Sequence, residues 1–193
     1  DHLTEAEIRC LERVVCGPRG FWARLLNCEW NDAPDVRHIL AETRHWMAFF
    51  SLWTRYLSRH GWTGSVDMEA WQLAREMGKP IHYMESIQDQ VETLESIPVS
   101  RIVNFLRSCR SWDRYRRRFV RAYLKGDLAG LYGTSVEFPT RTGEVIHRRD
   151  AIFLDNMKPF IEAGSAVIFV GSAHIVNLRR MLNDAGFQIR RYR

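Results

Sequence analysis

The fold predicted from the sequence rests on the stretch AVIFVGSAHIVNLRRMLNDAGFQI, residues 166–189. Its first five residues form an unbroken apolar run, which is typical of a parallel strand covered on both faces. The small residues from Gly171 to Ala173 allow a tight turn, and the apolar spacing after it predicts a helix that ends at Gly186. The stretch therefore predicts a strand, a turn and a helix, with His174 at the turn.

A second unit of the same kind precedes it in the chain. Residues 66–79 have helical spacing, and IHYM at residues 81–84 is typical of a short strand. Glu85 comes directly after that strand, and Ser86 caps the next helix. We therefore predict an α/β fold over residues 61–193, with a small parallel or mixed sheet flanked by helices.

Helices account for most of the remaining sequence. Residues 1–60 are predicted to form a large helical insertion, and the length of 193 residues fits a single domain. A helix is predicted over residues 3–15, with Thr4 as its cap and Glu7 completing a capping box. The other predicted elements are helices from Pro34 to about Arg59, over 101–125 and over 148–164, a loop or hairpin over 133–147, and a last strand over 187–192.

The composition is that of a globular protein with a substantial core, since 46% of the residues are hydrophobic and 12% aromatic. The net charge of +5 permits nucleic acid, an anionic membrane surface or an acidic ligand as a partner, and selects none of them. The longest apolar runs have about five residues, so we expect no membrane span.

The four cysteines form no CxxC pair, which argues against a zinc ribbon. They are either free buried thiols or include a disulfide within Cys10, Cys16 and Cys28.

Two polar side chains follow the predicted strands at corresponding points. Glu85 follows the strand 81–84, and His174 follows the strand 166–170. Because ligands bind outside the carboxyl ends of parallel strands, we expect both side chains at one edge of the sheet. The amino ends of the following helices favour an anion there. The alternatives are that His174 caps its helix or bonds to a carbonyl, and that Glu85 caps the next helix.

Two further patterns are weaker signals of function. His38, Glu42 and His45 have the spacing of metal ligands along a helix, although their polar neighbours favour a solvated face. A stripe of arginines has the spacing to contact phosphates, but its aromatic neighbours lie on the opposite face and are expected to serve the core. The arginine stripe consists of Arg107, Arg110, Arg114, Arg117 and Arg121, and the opposite face of Trp112, Tyr115, Phe119 and Ala122.

Four segments, in order, resemble the TraB/GumN family, which includes the TIKI proteases and the pheromone-shutdown proteins. SVDMEAWQLAREMGKPIHYMESIQDQ (residues 65–90) resembles its central segment, and AYLKGD (122–127) its Tyr-x-x-Gly-Asp step. HRRDAIFLDNM (147–157) resembles its Arg-Asn helix start, and FVGSAH (169–174) the second of its two GxxH motifs. The order and spacing of these segments agree with the family over about residues 60 to 193.

The resemblance implies a metal-dependent, peptidase-like hydrolase with an α/β fold like that of erythromycin esterases and ChaN-like proteins. His174 corresponds to the second GxxH histidine, and Glu85 and Arg149 correspond to site residues. We therefore predict His174, Glu85 and Arg149 as catalytic residues and His174 and Glu85 as metal ligands. The predicted ion is manganese, cobalt or zinc, and the predicted substrate is a peptide or a small molecule.

The chain also departs from the family pattern. The first GxxH motif belongs to an opening βαβ segment that is not found here, and the chain begins with Asp1, so we expect the natural protein to carry a further amino-terminal segment. Asp150 replaces the usual asparagine, and Ile175 to Asn177 replace an LPG loop. We therefore expect an incomplete site and no turnover by this chain. The alternatives are a non-catalytic binding or regulatory module that uses the same edge, and a basic nucleic-acid-binding domain.

Overall fold

A computed structural model of the protein describes residues 2–17, 35–135 and 138–190, with the backbone alone for residues 132–135. Cys28 and the last two residues of the predicted strand 187–192 lie outside these ranges. The described helices are α1 (Glu5–Cys16), α2 (Val36–Glu42), α3 (His45–Arg59), α4 (Val66–Glu76), α5 (Ile87–Glu95), α6 (Val99–Arg107), a 3₁₀ turn (Cys109–Ser111), α7 (Trp112–Leu124), α8 (Leu128–Ser135), α9 (Gly143–Glu162) and α10 (Ser172–Asp184).

The predicted α/β fold is wrong, because the described part of the chain is all-helical and contains no strand. Residues 166–170 do retain a strand-like alternation. Ile168 and Val170 pack inwards against a helical core, whereas Val167 and Phe169 are 82% and 51% exposed. A strand is stabilised by its ladder of hydrogen bonds to a neighbour, and no described segment pairs with this one. The apolar run therefore predicted a strand that is not formed, because no described segment lies beside it as a partner.

Residues 81–84 fail to form a strand for the same reason. Tyr83 is 75% exposed, and the carbonyl oxygen of Met84 accepts a hydrogen bond of 2.8 Å from Nδ2 of Asn156 on α9. A side chain thus satisfies this backbone group in place of a neighbouring strand.

Two helix starts that depend on local sequence are confirmed. Thr4 caps α1 in a capping box with Glu7, and Ser86 caps α5 in a capping box with Asp89. The helix predicted from the spacing of residues 66–79 is observed as α4, and Gly78, which follows it, has φ +63°, a conformation that favours glycine.

Three predicted segments need correction. The helix from Pro34 to Arg59 is interrupted at Thr43 and Arg44, where Oγ1 of Thr43 bonds to the carbonyl oxygen of Ile39 at 2.7 Å and the backbone becomes extended. The helix over 101–125 is divided into α6, the 3₁₀ turn and α7. The predicted loop over 133–147 instead contains the end of α8 and the start of α9, which Thr142 caps.

The chain divides into two compact units. The first comprises Asp1–Gly64 with Pro98–Tyr115, and its helices α1, α3 and α6 pack around a core of aromatic and aliphatic side chains. Trp112 is 1% exposed there, which confirms its predicted burial, whereas Phe119 is only half-buried. The fully or nearly buried members of this core include Leu11, Val15, Phe49, Leu52, Trp53, Ile102, Phe105 and Trp112.

The second unit comprises Ser65–Ile97 with Arg116–Arg193. Its helices α9 and α10 pack together, α8 contacts α10, and α5 contacts α9. The centre of the α9–α10 contact is formed by Phe153, Met157 and Leu178. None of the helices described in either unit is both long enough and apolar enough to span a membrane.

Candidate functional site

Helix α9 brings the candidate residues together. Arg149, Asp150 and Phe153 lie within about one turn of it, because residues three or four apart share a helix face. Phe153 and Met157 are buried in the core, and Asp150 lies on the same buried face at 0% exposure. A carboxylate therefore occupies a position in this helix where an apolar side chain would be expected.

Helix α10 brings His174 to that carboxylate. Gly171 precedes the first turn of α10, and the His174 amide donates to its carbonyl oxygen at 2.9 Å. His174 is 6% exposed, and its Nδ1 lies 2.5 Å from Oδ1 of Asp150. We refer to these two side chains as the His174–Asp150 pair.

Asn177, one turn further along α10, binds the second oxygen of the carboxylate. Its Nδ2 donates to Oδ2 of Asp150 at 2.7 Å, and its own Oδ1 accepts a hydrogen bond of 3.0 Å from Arg180. Both oxygens of Asp150 are thus bonded, as a buried carboxylate requires. The ring of His174 also packs edge-on against Phe153, with 5.0 Å between the ring centroids. These contacts hold the imidazole in one orientation.

The tautomer of His174 follows from this arrangement. Carboxylate oxygens accept hydrogen bonds, so the contact with Asp150 assigns the hydrogen of the neutral imidazole to Nδ1. Nε2 is then the unprotonated nitrogen, and it makes no hydrogen bond with any residue that the structure describes. Such a nitrogen can accept a proton or bind a metal ion.

Arg149 and Glu85 form a second pair beside the first. Nε and Nη2 of Arg149 donate to the two oxygens of Glu85 at 3.0 and 2.6 Å. The side chains are 22% and 10% exposed, respectively, and Gln90 donates to the same carboxylate at 3.2 Å. The guanidinium carbon of Arg149 lies 5.2 Å from the centre of the Phe153 ring. Phe153 therefore contacts both Arg149 and His174.

The three predicted site residues thus belong to two adjoining pairs. Glu85 pairs with Arg149, and His174 pairs with the residue after Arg149. Within the ranges that the structure covers, no three His, Cys, Asp or Glu side chains form a group that could hold a metal ion. Of the other histidines of the second unit, His82 packs against Phe160 and His147 is exposed on α9.

The HxxxExxH pattern is divided between two helices. His38 and Glu42 lie on α2 and His45 lies on α3, and all three are exposed. The interpretation as a solvated face agrees with this exposure.

Asp150 and Asn177 are site residues that the sequence did not reveal as such. Asp150 was noted only as a replacement for an asparagine. A usable signal was present, because Ile146, Asp150, Phe153 and Met157 have the three- and four-residue spacing of a buried helix face. A carboxylate in that series needs a buried partner.

A comparison with protein-family models matches residues 2–191 to the TraB/PrgY/gumN family. The chain belongs to that family. The match includes residues 2–60, which precede the four resembling segments. No curated protein and no solved structure matches the chain. Family membership confirms the recognition drawn from the four sequence segments; the activity is a separate question.

Proposed function

We propose that this TraB/PrgY/gumN family member acts as a peptidase-like hydrolase and that His174 is its central functional residue. The observation that supports the proposal most strongly is the 2.5 Å contact between the buried side chains of His174 and Asp150. Burying an ionised carboxylate is costly unless it is paired and hydrogen-bonded, and such a pairing fixes the orientation of the partner. Here that partner is an imidazole.

The His174–Asp150 pair would move a proton at Nε2. With Nδ1–H held by Asp150, Nε2 accepts a proton from an attacking water molecule. The imidazolium that forms is stabilised by the carboxylate beside it, which stays ionised. Nε2 then returns the proton to the leaving amine. Asp150 is a positioning residue in this scheme, because it acts through His174.

The same nitrogen suits a divalent metal ion, as the family resemblance implies. A histidine that ligates a metal commonly donates its other ring N–H to a carboxylate, and Asp150 supplies that carboxylate here. A bound manganese, cobalt or zinc ion would supply an ionised water near neutral pH. In that case His174 would not act as the base and would instead contribute one ligand through Nε2. Glu85 would have to release Arg149 to serve as a second.

Arg149 would provide the positive charge of the site. A guanidinium binds a carboxylate through two parallel hydrogen bonds, the geometry that Glu85 now occupies. We propose that a substrate carboxylate, or the negative charge that develops on a peptide carbonyl, competes with Glu85 for this group. Arg149 would then bind the substrate, and Glu85 would keep the Arg149 side chain in position when no substrate is bound.

The second candidate function is a non-catalytic binding module at the same place. The two hydrogen bonds from Arg149 to Glu85 favour this function, because both carboxylate oxygens of Glu85 are already bonded and are not free to bind a metal ion.

A nucleic-acid-binding function has less support. Arg107 of the arginine stripe bonds to Glu7 and to the carbonyl oxygen of His2, and Arg110 bonds to Cys10.

The test is a peptide-hydrolysis assay of the protein expressed from its complete reading frame, with manganese, cobalt or zinc added in turn. We expect turnover that His174→Gln abolishes and that Asp150→Asn lowers about 10- to 100-fold. His147→Gln is the matched control, because His147 is an exposed histidine on α9, and it should leave turnover unchanged. Unchanged turnover in His174→Gln would contradict the proposal. Peptide binding without turnover under any metal would favour the binding module.

A further inference from the structure

Two buried cysteines of the first unit lie side by side. Cys10 belongs to α1 and Cys109 to the 3₁₀ turn, and their Sγ atoms are 3.5 Å apart. Both are free thiols, with Cys10 7% exposed and Cys109 2% exposed. Because an S–S bond is about 2.0 Å long, the sulfurs need to approach each other by about 1.5 Å to bond. The two positions are 99 residues apart in sequence, so the contact is a product of the fold.

A cation lies against one of the two sulfurs. Nε of Arg110 donates to Sγ of Cys10 at 3.2 Å, and the Sγ–H of Cys109 donates to the same atom. Burial acts to raise the pKa of the Cys10 thiol, but these hydrogen bonds and the charges of Arg110 and Arg13 outweigh it and hold that pKa below its ordinary value. Cys10 is therefore the thiol of the pair that ionises more readily.

Cys109 has the opposite character. Burial, reinforced by the hydrogen bond to Cys10 and by the negative charge of its thiolate, raises the pKa of Cys109 to about 12. It stays protonated beside the Cys10 sulfur. The pair thus combines a more readily ionised thiol, Cys10, with a neighbouring thiol that can resolve its oxidised form.

We propose that Cys10 and Cys109 form a reversible oxidation site that responds to hydroperoxides, with Cys10 as the reacting and Cys109 as the resolving cysteine. The contacts that carry the proposal are the 3.5 Å approach of the sulfurs and the hydrogen bond from Arg110. Neither residue belongs to the His174–Asp150 pair, so the site is independent of the proposed hydrolase function.

The reaction proceeds in two balanced steps. The Cys10 thiolate attacks the terminal oxygen of the hydroperoxide, the O–O bond breaks, and Cys10 becomes a sulfenic acid as an alkoxide or hydroxide leaves. The Cys109 sulfur then attacks the Cys10 sulfur, the S–O bond breaks, and the departing hydroxide takes the Cys109 proton as water. With hydrogen peroxide, two thiols and one peroxide give one disulfide and two waters. A small thiol reverses the change by exchange.

The disulfide would tie α1 to the turn between α6 and α7. A disulfide that closes so long a loop lowers the conformational entropy of the unfolded chain, so we expect oxidation to raise the thermal unfolding midpoint. A reducing agent should restore the original value.

The experiment exposes the folded chain to hydrogen peroxide, traps remaining thiols in acid and maps the peptides by mass spectrometry. We expect a Cys10–Cys109 crosslinked peptide that is lost in Cys10→Ser and in Cys109→Ser. Cys16→Ser is the matched control, since Cys16 is another buried thiol of α1, and it should keep the crosslink. In Cys109→Ser, a sulfenic-acid probe should label Cys10.

A second pair of variants tests the cation without removing either thiol. Arg110→Gln should slow the oxidation of Cys10 about three- to ten-fold, because the thiolate loses its partner. Arg114→Gln removes an exposed arginine from the next turn and should have no effect. The proposal fails if Cys10 and Cys109 stay alkylatable after peroxide treatment. It also fails if the crosslink joins Cys16 or Cys28 instead, or if Arg110→Gln oxidises at the original rate.

Discussion

Nδ1 of His174 lies 2.5 Å from Oδ1 of Asp150, and both side chains are buried between α9 and α10. The contact joins an imidazole at the first turn of one helix to a carboxylate in the middle of another. Because Asn177 binds the other oxygen of Asp150, the carboxylate fixes the imidazole without being free to turn. The following predictions rest on this relationship and on the pair of Glu85 and Arg149 beside it.

Replacing Asp150 by alanine should lower the free energy of unfolding by about 3 kcal/mol, since it leaves the buried His174 and Asn177 without their shared partner. Asp150→Asn should cost less, about 1–2 kcal/mol, because an amide oxygen still accepts the hydrogen bond from Nδ1. Urea denaturation measures both values. Asp155→Ala, at an exposed position of α9, is the control and should change stability by less than about 0.5 kcal/mol. Equal losses for Asp150→Ala and Asp155→Ala would contradict the role of the pair.

The pair formed by Glu85 and Arg149 should show energetic coupling. A double-mutant cycle with Glu85→Gln and Arg149→Gln should give a coupling energy of about 1–3 kcal/mol, because the ion pair is bidentate and largely buried. The neighbouring pair of Arg148 on α9 and Glu92 on α5 offers a comparison, since Glu85 lies just before α5 and Arg149 follows Arg148. Its side chains are 49% and 45% exposed, and its coupling should stay below about 1 kcal/mol. A smaller coupling for Glu85 with Arg149 than for this exposed pair would overturn the expectation.

Local rules predicted the parts of the fold that depend on neighbouring residues. The capping boxes of Thr4 with Glu7 and of Ser86 with Asp89 each involve side chains three positions apart, so the sequence alone contains them. The strands could not be predicted in the same way. The run at residues 166–170 has strand propensity, but a strand also needs a neighbour, and whether one pairs with it is decided by distant parts of the chain.

The candidate site was predictable in part for the same reason. His174, Glu85 and Arg149 were identified by their positions and by a family resemblance. The partner of His174 was missed because it lies 24 residues away on another helix, and the contact exists only when the two helices pack. Asp150 appeared in the sequence as a departure from the family pattern, whereas in the structure it completes the pair.

The capping box of α5 should make stability depend on pH. Hydrogen bonds from the side chain and the backbone of Ser86 hold the pKa of Asp89 below its ordinary value. A carboxylate with a lowered pKa in the folded state stabilises the protein above its unfolded pKa, and this contribution is lost as the pH falls through the folded pKa. Ser86→Ala should therefore destabilise the chain near pH 7 by more than near pH 3.

Thermal unfolding of the wild type and Ser86→Ala across that range measures the difference. Ser96→Ala is the comparison, since Ser96 lies at the other end of α5 and bonds to a backbone carbonyl through its hydroxyl. Its effect should not change with pH. A constant difference between the wild type and Ser86→Ala at all pH values would show that the cap does not act through the carboxylate of Asp89.

The tautomer of His174 tests the central claim most directly. In ¹⁵N-histidine-labelled protein, long-range nitrogen–proton correlation spectra distinguish a ring nitrogen that carries hydrogen from one that does not, and His174→Gln assigns the signal. Our account predicts that, in the neutral ring, Nδ1 carries the hydrogen and Nε2 is free, and that added zinc shifts the Nε2 resonance. A neutral ring with the hydrogen on Nε2 would contradict the account, because Nδ1 would then not donate to Asp150 and Nε2 would not be available to accept a proton or bind a metal ion.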